Sequence, residues 1–103
     1  MTNGGALDGV TVLDNSQILA GPFCTMLLAD MGANVIKVEK PTGGDDTRRM
    51  GPPFIEGESA AFLQMNRNKR SIVLDTHSDD GKEAFKKLVA KSDILIENSR
   101  PGS

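Results

Sequence analysis

The sequence has no tryptophan and no tyrosine, and it has one cysteine and one histidine. A lone Cys24 can form neither an internal disulfide nor a thiolate zinc cluster. A lone His77 likewise rules out a paired-histidine metal site, so no metal is expected. Four phenylalanines are the whole aromatic complement, too few for a platform that stacks nucleic-acid bases. The net charge of −2 lacks the basic excess of a nucleic-acid binder. No run of about 18 apolar residues offers a membrane span. The opening MTNGGALDG lacks the basic and apolar regions of a signal peptide. These absences leave a cytoplasmic protein as the expectation, with the matrix or another internal compartment as the alternative, and with no nucleic-acid and no membrane partner.

Two nucleotide signatures are also missing. There is no GxxxxGK[ST] pattern, and the turn NSQILAGPFC (15–24) has one glycine where a dinucleotide fingerprint needs three. Glu39 sits where a ribose-binding acid would stand in such a fold, but without that turn a pyrophosphate has no close backbone approach.

What is present is an alternation of strand and helix signals within a single-domain length of 103 residues. Apolar, β-branched runs lie at Val10–Leu13, Val35–Val38, Ser71–Leu74 and Asp93–Ile96. Their nearly continuous apolar character predicts parallel strands buried on both faces. A helix is predicted from Gly21-Pro22 to the stop at Gly32, apolar nearly all round except for Thr25 and Asp30. Such a helix must be covered on more than its sheet side. A shorter helix is predicted from Ser59 to about Asn66. An ordinary surface helix is expected over 78–91, capped by Ser78, with Asp79 and Asp80 at its positive end and lysines in its C-terminal half. The fourth strand is followed by only seven residues and no covering helix, so the chain reads as cut after that strand.

In open parallel sheets, ligands bind outside the carboxyl ends of the strands. The four exits here, Asp14–Gln17, Glu39–Pro41, Asp75–His77 and Glu97–Ser99, are all polar. Several side chains near them have plainer readings. Cys24 reads as a small buried hydrophobe and Asp45-Asp46 as a loop or helix cap. The cluster Arg67, Lys69, Arg70 reads as a solvated face or, alternatively, as a site for a multiply phosphorylated ligand. His77 is as readily a solvated loop residue as a ligand contact. From the residues alone, the reading is an α/β domain with an anion or nucleotide site on one edge.

The order of motifs adds more. LDGVTVLDNSQILAGPFCTMLLADMGANVIKVEKPTGGDDTRRMGPPF, then NRNKRSIVLD, then ILIENSRPG, resembles the amino-terminal part of class III CoA-transferases. That family also includes formyl-CoA transferases and α-methylacyl-CoA racemases. The resemblance runs from about Leu7 to Gly102. It implies a Rossmann-like, mainly parallel α/β sheet with flanking helices, and residues 1–103 as one partial domain that binds coenzyme A. It also implies a homodimer of much longer, interlocked subunits, with acyl-CoA and a carboxylic acid as substrates.

Residue by residue, the resemblance carries CoA contacts to the strand exits. Leu19 and Ala20 match positions beside the thioester. Lys40 stands where an arginine near the CoA phosphates is common. Leu74 matches an adenine-side apolar contact, and His77 a position often basic. Asn98 matches the asparagine of an ENFRPG-like turn, in which Ser99 replaces the usual phenylalanine. In the transferase branch an aspartate carboxylate attacks the acyl-CoA, splitting one hard acyl transfer into easier steps. In the racemase branch an acid–base pair exchanges the α-proton. Both sets belong to later segments, so no catalytic residue is expected here. The leading expectation is the CoA-binding segment of a CoA-transferase, inactive alone. The alternatives are a racemase segment, a noncatalytic CoA- or nucleotide-binding module, and a nonfunctional fragment.

Overall fold

Four apolar runs assemble into one parallel sheet. The computed structural model describes residues 5–17 and 20–98. In chain order the elements are β1 (Thr11–Asn15), α1 (Ala20–Asp30), β2 (Asn34–Glu39), a 3₁₀ turn (Asp46–Arg49), and the two-residue strands β3 (Phe54–Ile55) and β4 (Glu58–Ser59). They continue with α2 (Ala60–Met65), β5 (Arg70–Val73), α3 (Asp79–Ala90) and β6 (Ile94–Glu97). The large sheet has the order β5-β2-β1-β6, all parallel, and β3 and β4 form a separate antiparallel hairpin.

Counted along the large sheet alone, this order is 3-2-1-4, half of a doubly wound Rossmann-type sheet. The chain steps outward from β1 to β2 to β5, then returns across the sheet to β6. Right-handed crossovers therefore put α1 and α2 on one face and α3 on the other. Between β1 and β6 the winding reverses, the place where sheets of this kind open a crevice at the carboxyl ends of their strands.

The helix ends follow the expected cap chemistry. Ser59 Oγ accepts from the Phe62 N–H, and Ser78 Oγ accepts from the Gly81 N–H at 3.0 Å. Asp79 and Asp80 occupy the first turn of α3, where the helix dipole favours negative charge.

Two burial expectations need correction. The central strands β1 and β2 are buried, but β5 and β6 are largely exposed, because each is an edge strand with a neighbour on one side only. Cys24 is exposed, not a buried hydrophobe. The sheet-facing side of α1 carries Gly21, Pro22, Thr25, Met26 and Ala29, which leaves Cys24 pointing away. Phe23, Leu27 and Met31, four residues apart, form an exposed apolar line along the outside of α1. No helix among the described residues is long and apolar enough to cross a membrane.

Candidate functional site

The face of the sheet beneath α1 is divided into two halves. Toward the amino ends of the strands it is apolar: Val12 and Val35, paired in register, pack with Ala29 and Ala33. Two residues further along, the same face presents Asp14 opposite Lys37, then Glu39, with Ser71 beside Lys37 on β5. Strand alternation makes this unavoidable, since side chains two apart share a face. The sequences VLD and VIKVE thus carry charge inside the fold.

Each charge is met by several partners. Asp14, fully buried, accepts from the Ser16 N–H at 3.0 Å, from Ser16 Oγ, from Thr25 Oγ1 at 2.7 Å and from Lys69 Nζ at 2.9 Å. Lys69 Nζ also donates to the Pro22 carbonyl at 3.0 Å and to Asn66 Oδ1 at 2.7 Å, so its three protons are used. Burial pushes the Asp14 carboxyl up, but the Ser16 and Thr25 bonds and the Lys69 charge outweigh it and hold it below the usual range. At Lys69 the balance differs: burial dominates and lowers the ammonium's pKa despite Asp14.

Lys37 Nζ lies 2.8 Å from Asp45 Oδ2 and 3.2 Å from the Ser16 carbonyl. Asp45 Oδ1 accepts from the Thr47 N–H at 2.9 Å, which makes it the N-cap of the 3₁₀ turn, as its loop position suggested. Glu39 takes a two-pronged bond from Arg48, 2.7 Å on each oxygen, together with the Ser71 hydroxyl and the Asp45 N–H. The Arg48 bonds lead in depressing the Glu39 carboxyl to about 2, against the upward push of burial. The Arg48 guanidinium also stacks 3.8 Å above the Phe62 ring. The glycine-rich loop is therefore folded back onto the end of β2. A Cβ at Gly44 would stand 2.4 Å from Glu39 Oε1, so the loop's glycine lets the carboxylate and Arg48 meet.

Above this charged layer lie the strand exits. Ala20 opens α1 and is exposed. Lys40, just past β2, is exposed and pairs with Asp46 at 2.8 Å. Leu74, past β5, is half-buried, and its N–H donates to the Glu39 carbonyl at 3.0 Å. His77 is exposed, and its N–H donates to Asp75 Oδ1 at 3.0 Å. Asn98, past β6, reaches across the crevice: its Oδ1 accepts from the Gln17 N–H at 3.1 Å and its Nδ2 donates to the Gln17 carbonyl at 3.0 Å. Leu19 and Ser99 lie outside the described residues. The described five follow exits on one edge, spread over three strand spacings, or about 14 Å.

The basic cluster does not act as one patch. Arg67 pairs with Asp30 at 2.7 Å, Arg70 donates to Asn34 Oδ1 at 2.8 Å, and Lys69 turns inward. The buried groups Asp14, Lys37, Glu39 and Lys69 were not singled out from the sequence as a network. The available signal was Lys37, a lysine inside an apolar parallel strand, which needs a buried counter-charge.

Gly21 makes the closest approach at the crevice. A Cβ there would lie 2.3 Å from Ser16 Cβ and 2.6 Å from Ser16 Oγ. Gly21→Ala is therefore expected to push the turn after β1 aside and destabilise the chain by about 1–3 kcal/mol, as overpacking does. Denaturant unfolding of the variant measures this, and an unchanged midpoint would contradict it.

Comparison with known proteins agrees with this architecture. The model of CoA-transferase family III matches residues 7–103, and the chain belongs to that family. It is 50% identical over 102 residues to succinyl-CoA:glutarate CoA-transferase of Homo sapiens, covering 99% of this chain and 23% of that protein. It is 51% identical to succinyl-CoA:mesaconate CoA-transferase of Haloarcula hispanica, covering 96% and 26%. Among solved structures, a CAIB/BAIF family protein from Brucella suis superposes with a TM-score of 0.91 at 48% identity, over 97% of this chain and 27% of that one. The chain thus spans about a quarter of the length of these relatives.

Proposed function

We propose that residues 1–103 form the N-terminal, coenzyme A-binding part of the large domain of a CoA-transferase. The whole enzyme would move CoA between an acyl-CoA and a free carboxylic acid. The observation that carries this reading is the single polar edge: four exits open side by side, with the crevice between β1 and β6 bridged by Asn98 and Gln17. An edge about 14 Å long suits an extended ligand with a phosphate end and an apolar end. Ala20 and the crevice lie at one part of it, Lys40 beside β2, and Leu74 with His77 at the outer strand. Leu19 and Ser99, carried over from the family, complete the proposed contacts. The names of the two relatives, both pairing succinyl-CoA with a dicarboxylate, support a dicarboxylic acid as acceptor.

This segment's buried acids are committed to internal bonds. Asp14 and Glu39 each accept four hydrogen bonds, which leaves no carboxylate lone pair poised for attack. Asp14 and Glu39 are therefore not the reacting carboxylate, which the family resemblance assigns to later segments.

Calorimetric titration with CoA tests the reading. Lys40 is held only by an exposed ion pair, worth about 0.2–1 kcal/mol, so its ammonium can swing to a phosphate at little cost. Lys40→Ala should leave the fold intact and weaken CoA binding about threefold to tenfold. Saturable binding that the substitution leaves unchanged would remove Lys40 from the site, and no binding by the folded chain would sink the reading.

A further inference from the structure

We propose that Lys37 is a positioning residue for the ligand edge, holding the turn after β1 through its bond to the Ser16 carbonyl. The proposal rests on the CoA-binding reading of that edge. Lys37 is 1% exposed and stands in a strand whose neighbours Val35, Ile36 and Val38 are apolar. A buried ion pair contributes little net stability compared with apolar side chains of similar volume, so stability alone does not explain a lysine here. What the ammonium adds is geometry. It ties the turn after β1, at Ser16, to the turn after β2, at Asp45.

The other polar atoms of the same turn are engaged in the same manner. Asp14 takes the Ser16 N–H, and the Asn98 amide takes both the N–H and the carbonyl of Gln17. With Lys37 on the Ser16 carbonyl, the main-chain groups of Ser16 and Gln17 are held by side chains from β1, β2 and the end of β6. A turn fixed to three strands presents its outer surface in one geometry, which is what orientation of a bound thioester requires. Lys37 acts through Ser16 and need not touch the ligand.

The test separates the turn from the fold. Lys37→Met with Asp45→Asn removes both charges together, avoids an uncompensated carboxylate, and keeps an N-cap side chain for Thr47. The expected result is a Tm within a few degrees of the unmodified chain and a CoA Kd raised about tenfold. Lys37→Gln with Asp45→Asn restores a donor for the Ser16 carbonyl and should recover most of the affinity. Unchanged affinity in the methionine variant would overturn the proposal, as would equal loss in the glutamine variant. Unfolding of the methionine variant would overturn it too, because the charge would then be holding the fold and not the turn. If the unmodified chain itself fails to bind CoA, the CoA reading falls first, and that is seen without any variant.

Discussion

Replacing Lys69 with methionine should destabilise the chain by about 3–5 kcal/mol, the range for removing one partner of a buried ion pair. A domain of this size has a total stability of about 5–15 kcal/mol, so the variant should be partly unfolded or easily melted. Methionine keeps the apolar stem, and the loss isolates the ammonium. The Lys69 side chain is 2% exposed, and its ammonium serves Asp14, the Pro22 carbonyl and Asn66 at once, joining β1, α1 and the segment before β5. Without it, Asp14 loses one of the charges that hold its carboxyl low against burial, so its folded pKa rises relative to the unmodified chain. A carboxyl held low on folding contributes stability that is lost as pH falls, and the variant, with a less depressed Asp14, has less of it to lose. The deficit of Lys69→Met relative to the unmodified chain should therefore shrink on acidification. Lys69→Met combined with Asp14→Asn should recover part of the loss at neutral pH. Denaturant unfolding at several pH values checks both points, and a deficit independent of pH would show that packing is responsible instead.

Glu39→Gln should be the next most damaging change, with a loss of about 2–3 kcal/mol. It sits somewhat below Lys69→Met because Arg48 is one-third exposed and keeps Glu58, at 3.8 Å, as a weaker partner. The amide removes the charge and one prong of the Arg48 bond, so the glycine-rich loop loses its main tie to β2. The pH dependence has the ordinary carboxylate sign. Glu39 falls from 4.5 to about 2 on folding, so its stabilisation is complete above pH 4.5 and lost as pH drops from there toward 2. The unmodified chain should lose stability across that window, and Glu39→Gln should show a flatter profile. A variant with the same acid slope would mean that other carboxylates govern acid unfolding.

The order of the four sheet strands and the three α-helices was readable because it depends on local chemistry, whereas the 3₁₀ turn and the β3–β4 hairpin were not read. β-branched runs mark the four strands, and Ser59 and Ser78 cap the helices that follow them. Strand exits were readable too, because parallel strands must end on one edge. The charged layer was not. Asp14 reads locally as the polar end of a strand and Lys69 as part of a solvated run; only the register of β1 against β2 and the return of the chain before β5 bring them together. Cys24 shows the same limit from the other side. In a helix apolar nearly all round, residue type does not reveal which side faces the sheet, and Gly21, Thr25 and Ala29 took that side through close approach and the Thr25–Asp14 bond.

The proposed place of the ligand is the carboxyl edge of this sheet. Amide chemical shifts recorded through a CoA titration test it most directly. The predicted result is saturable perturbation of Ala20, Lys40, Leu74, His77 and Asn98, with Val10 and Asn34 at the opposite ends of the strands unmoved. Perturbation confined to those opposite ends, or none at all in a folded chain, would contradict it.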